Sequence, residues 1–322
     1  MHKQNKYTVS HAPFWHDGDT ISTMNLNIMA AALPAALFGI LQFGMPALGV
    51  MTLAVSTAML WELLFNFISK RDITITDYDA AMTGMVFAMM LPPTTPWWVV
   101  LTGTFLAIVI GKQIYGGIGA TPFNPAIVAI AILMVSWKGF FDFDAAVLTY
   151  DFDFTPLAPL AALKHQGTAA VDLFSLSDLI MGNQIGSTGG VFGAGIIAGG
   201  IYLILRGYIR WEITLSYIAG IFITAIIFQA ANPDLYAGPL FHLFTGYTLL
   251  GAFFLATMNA ASPVNFIPML IYGAAGGFMT ILIRNIGVYP DGTVFAILII
   301  NLINPLIDKI RPKALGRGVN NA

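Results

Sequence analysis

From residue 22 to residue 306 the chain alternates apolar stretches with short polar ones, and the stretches come in two lengths. Runs at 22–42, 46–68, 97–111, 212–230 and 266–283 are of the order of the 20 residues that a helix needs to cross a bilayer core. Runs near 80–91, 123–137, 188–205, 245–257 and 292–306 are shorter. Several of these are bounded by Pro or Gly, at Leu91-Pro-Pro93, Gly119-Ala-Thr-Pro122, Ser262-Pro263 and Tyr289-Pro-Asp-Gly292. Such breaks survive at membrane depth only when they are buried in protein or line a cavity. The pattern predicts an all-α integral membrane protein of about ten transmembrane helices, some of them broken.

The charges test that count. With the N-terminus placed inside, the cytoplasmic positions hold Lys3, Lys6, Lys70, Arg71, Lys112, Arg206, Arg210, Lys309, Arg311, Lys313 and Arg317. The other side holds only Lys138, Lys164 and Arg284. Eleven against three is the bias of a chain whose basic loops stay in the cytoplasm, and a missed helix would scramble it. Both termini are therefore expected inside. The organisation reads as a cytoplasmic segment 1–21, a first membrane unit 22–137, an extracytoplasmic loop 138–187, a second unit 188–308 and a cytoplasmic tail 309–322. The opening segment is too polar for a cleaved signal peptide, so the first span is expected to be retained.

The two units resemble each other. Ile118-Gly-Ala-Thr-Pro122 opens one short span and Ile286-Gly-Val-Tyr-Pro290 another, 168 residues later, each after a glycine-rich span with a basic residue near its end (Lys112, Arg284). Five helices per unit would make these inverted repeats, an architecture that holds ligands near the membrane midplane. The bland alternative is that the phrase is a common way to open a helix. On the repeat reading, the two broken helices near Pro122 and Pro290 should bring their free ends together and line a site.

Composition supports the membrane reading and narrows the chemistry. Only 9% of the residues are charged and mean hydropathy is +0.78, against about 25% charged in soluble domains. Net charge is −2, so nothing points to nucleic acid. The absence of Cys excludes disulfides, thiolate zinc sites and iron–sulfur clusters held by this chain. Five scattered His residues offer no pair at helical ligand spacing. No phosphate-binding loop of the Walker type, HExxH motif or nucleophile–base arrangement is present.

The candidates that remain are few. Glu62 lies in the second span; an intramembrane carboxylate is a functional candidate, although a place near the interface also allows it to snorkel to water. Asp77 and Asp79 precede a short span, as an access point for ions or as charges favoured at a helix start. Lys112-Gln-Ile-Tyr-Gly116-Gly117 leads into Asn124-Pro125, and glycines with exposed N–H groups at a helix start suit an anion or a closely approaching ligand. Gly186 and Ser187 lie in a similar turn before the sixth span.

Several phrases carry a resemblance. GKQIYGGIGATPFNPA (111–126), LPPTTPWWV (91–99), GNQIGSTGG (182–190), GGIYLILRGYIRWEI (199–213), GAFFLATMNAASP (251–263) and the run 283–308 closely resemble RnfD, a membrane subunit of the Rnf electron-transport complex. The same family includes NqrB, its counterpart in the sodium-pumping NADH:quinone reductase. The resemblance implies a subunit of a redox-driven Na⁺ or H⁺ pump in the bacterial inner membrane, alongside other membrane and redox subunits. It also implies FMN joined by a phosphoester to a threonine within S-G-A-T-P-L in the long loop, and a noncovalent flavin (riboflavin) in the membrane core. The corresponding stretch is Asp151-Phe-Asp-Phe-Thr155-Pro-Leu157, which makes Thr155 the FMN candidate. Phe152, Asp153 and Phe154 stand where the family has small residues. Gly190 replaces an acidic residue, and Thr257-Met258-Asn259 replaces Thr-Asp-Pro. The alternatives are a flavin-free channel, a secondary transporter or a structural core subunit on the same fold.

Overall fold

A computed structural model describes residues 18–148 and 150–310. The N-terminal segment up to residue 17 and the tail from residue 311 lie outside the described residues. No strand occurs among the described residues. The first unit comprises α1 (Ile21–Phe43), α2 (Met45–Ile68), α3 (Asp79–Met89), α4 (Trp97–Phe105, extended by a π-helical turn Leu106–Ile110) and α5 (Pro125–Ser136). Three short helices, α6 (Phe143–Ala146), α7 (Pro159–Gln166) and α8 (Leu176–Met181), fill the connection to the second unit. The second unit comprises α9 (Gly193–Leu205), α10 (Trp211–Ala231), α11 (Pro239–Phe244), α12 (Thr248–Leu250, extended by a π-helical turn Gly251–Leu255), α13 (Phe266–Ile286) and α14 (Thr293–Ile307). Five helical stretches are long and apolar enough to cross a membrane, in α1, α2, α4 with its extension, α10 and α13. Four shorter apolar helices and the broken passage 239–255 account for the other apolar runs.

Local chemistry sets the helix ends. The Thr20 hydroxyl accepts the Thr23 N–H at the start of α1, and Gly44, at φ 71°, makes the one-residue turn into α2. Asn124 caps α5 by accepting the N–H groups of Ala126 and Ile127 at 3.0 and 3.4 Å, with Pro125 in the first turn. Small residues let long helices pack closely, as is usual in membranes. A Cβ on Gly277 of α13 would lie 2.2 Å from the Tyr217 carbonyl oxygen of α10.

The short helices end inside the protein, where other segments satisfy their carbonyls. At the end of α3, the Met89 carbonyl accepts the Gly189 N–H (2.9 Å), Met90 accepts the Tyr247 hydroxyl (2.7 Å), and Leu91 accepts the Thr188 N–H (3.0 Å). After α12, the Leu255 carbonyl accepts the Asn124 side chain at 3.1 Å. Each broken passage is thus closed by a turn from the other half of the chain, which meets the requirement that freed backbone groups be paired away from lipid.

The described part of the connection, 138–148 and 150–187, folds as a cap. Leu160, Leu163, Ala170, Phe174 and Leu179 form a small core with Ala237 and Phe241 of the second unit. The Asp144 carboxylate accepts the Ala158 N–H at 2.6 Å and holds the start of α7. Burial pushes the Asp144 carboxyl above its ordinary value, against the pull of that N–H.

The candidate ion and cofactor site

Two pockets lie at opposite ends of α1. Met24, Asn25 and Ile28, at its start, line a pocket of about 120 Å³. Phe43, at its end, packs with Ala158, Ile185 and Val191, which line a pocket of about 620 Å³. The 18 residues from Asn25 to Phe43 span roughly 27 Å of helix. We refer to these ends as the N-face and the loop face. The expectation that the turns near Pro122 and Pro290 meet is therefore corrected: Ile118, Gly119 and Thr121 line the first pocket, Pro290 and Asp291 the second, and the two share no residue. Their helices α5 and α14 belong to opposite-running passages, so the two turns point to opposite faces.

Each pocket borders a buried ion cluster. At the N-face, Lys112 follows the π-helical turn, where five-residue hydrogen bonding displaces the chain locally. Its Nζ lies 2.7 Å from Glu62 Oε1 of α2 and 2.7 Å from Asp79 Oδ2 at the start of α3. Gln113 Nε2 (2.9 Å) and the Thr74 hydroxyl (3.1 Å) also donate to Glu62 Oε1. Exposure is 0% at Glu62, 1% at Lys112 and 7% at Asp79, so Glu62 does not snorkel to water. Two carboxylates face one ammonium here, and Glu62 Oε2 is buried with no hydrogen-bond partner among the described residues. Asp77 stands aside from the ion pairs and accepts the Asp79 N–H at 2.9 Å, capping α3.

At the loop face the cluster is balanced. Arg284, in the last turn of α13, donates to Asp291 Oδ1 from Nη2 (2.9 Å) and Nε (3.3 Å). Its remaining donors reach the carbonyls of His242 and Thr245 and the Thr248 hydroxyl. Asp291 accepts in addition from the N–H groups of Tyr247 and Thr293 and from the Thr293 hydroxyl. Every charge here has its partner, so the cluster reads as structural. The N-face cluster keeps one uncompensated negative charge and one unpaired oxygen, which burial makes costly unless another cation takes part.

The sequence candidates divide between the two faces. Lys112 and Asn124 line the N-face pocket, and Glu62 reaches it through Lys112. Gly116 and Gly117, at φ 121° and 98°, form the turn behind it and do not line it. Gly186 and Ser187 line the loop-face pocket, where the Ser187 hydroxyl accepts the Gly190 N–H at 3.1 Å. Thr155 lines neither. Sequence reasoning missed Asn25 and Thr121, whose Oδ1 and Oγ1 are buried without partners at the N-face pocket. The pair of amides Asn25 and Asn27 at the start of a long apolar span was the available signal for Asn25. Of the positions that depart from the family pattern, Gly190 lies on the loop-face wall and Met258 and Asn259 on the N-face wall, while Phe152, Asp153 and Phe154 line neither pocket.

Short helices closed by partner turns, with buried charge at both faces, define a multi-pass α-helical membrane protein with the build of an ion-handling bundle. Comparison with known proteins makes this specific. The family model described as NQR2, RnfD, RnfE family matches residues 8–316, and the chain belongs to that family. Three similar relatives are each the subunit named D of an ion-translocating complex. In the proton-translocating ferredoxin:NAD(+) oxidoreductase complex of Clostridium ljungdahlii, that subunit is 34% identical over 314 residues, 95% of each chain. In the Na(+)-translocating ferredoxin:NAD(+) oxidoreductase complex of Acetobacterium woodii, it is 34% identical over 304 residues, 94% of this chain and 92% of the relative. In the ion-translocating oxidoreductase complex of Escherichia coli K12 (DH10B), it is 31% identical over 346 residues, 96% of this chain and 98% of that one.

Proposed function

We propose that this chain is a membrane subunit of an ion-translocating oxidoreductase complex and that Glu62, Lys112 and Asp79 take up the transported cation, H⁺ or Na⁺. The observation that carries this is the buried excess of one carboxylate together with the unpaired Glu62 Oε2. Lys112 neutralises one carboxylate and fixes both; a cation that binds completes the other. Asp77 holds the start of α3, and so Asp79, in place.

The walls of the N-face pocket have the chemistry to contact part of a noncovalent flavin. Its walls include Met82, Val86, Phe253 and Phe254, and Asn25 and Thr121 present unpaired oxygens to it; its volume of about 120 Å³ is below that of a whole small-molecule site, so it would take only part of a flavin. Asn25, Thr121, Asn124 and Lys112 would hold the ring system, and a bound flavin supplies electron transfer that the side chains cannot. Lys112 and Asp79 line the same pocket, so a change of charge there alters the cation affinity of the cluster at short range, where buried charges are little screened. The basic-residue bias supports an inner-membrane orientation with the N-face towards the cytoplasm.

The test uses the assembled complex in proteoliposomes. Glu62→Gln should lower ion transport at least tenfold while the complex stays assembled; transport at the wild-type rate would remove the cluster from the path. Cysteines placed at Lys70 and Asp153 should label from opposite sides with an impermeant reagent, and labelling from one side would overturn the orientation. A second reading, a flavin-free channel or core subunit, draws on Gly190 and the Met258-Asn259 pair on the pocket walls. A purified complex whose visible spectrum shows no flavin beyond that of its other subunits would favour it.

A further inference from the structure

The family's covalent FMN requires a hydroxyl in the right place. The bond is a phosphoester: a threonine Oγ displaces AMP from the flavin dinucleotide at phosphorus and loses its proton. Without a hydroxyl at the position presented to the flavin's cavity, no bond forms.

The Pro-Leu pair of the attachment motif occurs twice here, three residues apart: Thr155-Pro156-Leu157 and Ala158-Pro159-Leu160. The structure distinguishes the two. Ala158, Pro159 and Leu160 line the loop-face pocket, and Ala158 starts α7 under the Asp144 carboxylate. Thr155 does not line it; the Thr155 hydroxyl donates to the Leu173 carbonyl at 3.4 Å. The residues before Thr155 are engaged elsewhere. Tyr150, Phe152 and Phe154 stack in sequence, at ring separations of 5.6 and 4.8 Å. Phe152 meets Phe43 edge-on at 6.1 Å, and the Tyr150 hydroxyl donates to the Phe43 carbonyl at 3.0 Å. This ladder ties the connection to the end of α1 and takes the place of the small residues that the family motif has before its threonine.

We infer that this chain carries no covalent FMN: the position lining the cavity is Ala158, and Thr155 does not line it. In the cavity register, Thr155-Pro156-Leu157-Ala158 stands where the family has S-G-A-T. The inference rests on the family reading, from which the attachment motif comes. The residues do not fit the group, and any flavin of this subunit is held without a covalent bond.

The test is intact mass of the full chain, purified with its partner subunits from cells expressing a flavin transferase. The wild-type chain should have its unmodified mass, and Thr155→Ala should change it only by the substitution. The quadruple variant Thr155→Ser, Pro156→Gly, Leu157→Ala, Ala158→Thr should gain one FMN. A wild-type chain that carries one FMN, lost on Thr155→Ala, overturns the inference, and this measurement decides it even if the quadruple variant fails to fold. A quadruple variant that is assembled yet unmodified overturns the placement of position 158 at the acceptor site. Co-purification reports on the family reading separately: a chain that assembles with the other subunits and carries FMN refutes only the inference, and one that assembles with none refutes the reading beneath it.

Discussion

Removing charges one at a time from the N-face cluster separates its structural from its functional members. Lys112 balances one of two buried carboxylates. Lys112→Met leaves two carboxylates facing each other with no cation, and breaking a buried pair this way costs about 3–5 kcal/mol. For a protein of this size that corresponds to an apparent midpoint roughly 5–15 °C lower. Glu62→Gln has the opposite balance. The amide oxygen still accepts from Lys112, Gln113 and Thr74, while the excess charge and the unpaired Oε2 are removed. Its stability should lie within about 1 kcal/mol of wild type, since the unmet demand of the oxygen is exchanged for that of an amide N–H. The double variant should recover about 2 kcal/mol of the Lys112→Met loss, a coupling within the range found for residues in contact. Thermal denaturation of the purified complex at one pH and one detergent concentration gives the four midpoints. Two results would refute the reasoning: Glu62→Gln as damaging as Lys112→Met, or no recovery in the double variant. Glu62 would then be a structural partner of Lys112. A carboxylate kept at no benefit to stability is what a transport role would require.

Asn124→Ala should cost about 1–2 kcal/mol through loss of the α5 cap and leave the Leu255 carbonyl unpaired; a midpoint unchanged from wild type would show that water replaces both bonds. Gly277→Val should fail to assemble or should lower the midpoint markedly, because its Cβ lies 2.2 Å from the Tyr217 carbonyl oxygen and overpacking costs about 1–3 kcal/mol or more; wild-type stability would mean that α10 and α13 can separate. Because its folded-state pKa is raised above the ordinary 3.8, Asp144 stabilises the cap fully only below that value, and the contribution is lost as pH rises through the raised one. Protection factors of the α7 amides, with the intrinsic pH dependence of exchange divided out, should therefore fall over that window in wild type and stay flat in Asp144→Asn, and parallel profiles would contradict this.

Much of the architecture was legible in the sequence because the constraint behind it is local. A backbone in hydrocarbon must pair its own N–H and C=O groups, so spans announce themselves by length and hydropathy, and breaks by Pro and Gly. The runs at 22–42 and 266–283 became α1 and α13 within a few residues. The run at 245–257 became the broken passage 239–255, whose end at Leu255 is received by Asn124, a contact 131 residues away in sequence. Glu62 was a visible candidate because a carboxylate in an apolar helix stands out. What it does was not visible: Lys112 lies 50 residues further on and Asp79 17, and only the packing of α2 against α3 and the turn after α4 brings them within 2.7 Å. The pairing of the turns near Pro122 and Pro290 failed for a related reason, since similar phrases mark similar local geometry and say nothing of which face they reach. Residue type by itself determined that this is an all-α, multi-pass membrane protein and where its apolar runs lie. Tertiary structure decided which charges are compensated and which of two Pro-Leu turns faces a cavity, because both depend on side chains that meet only after distant helices pack.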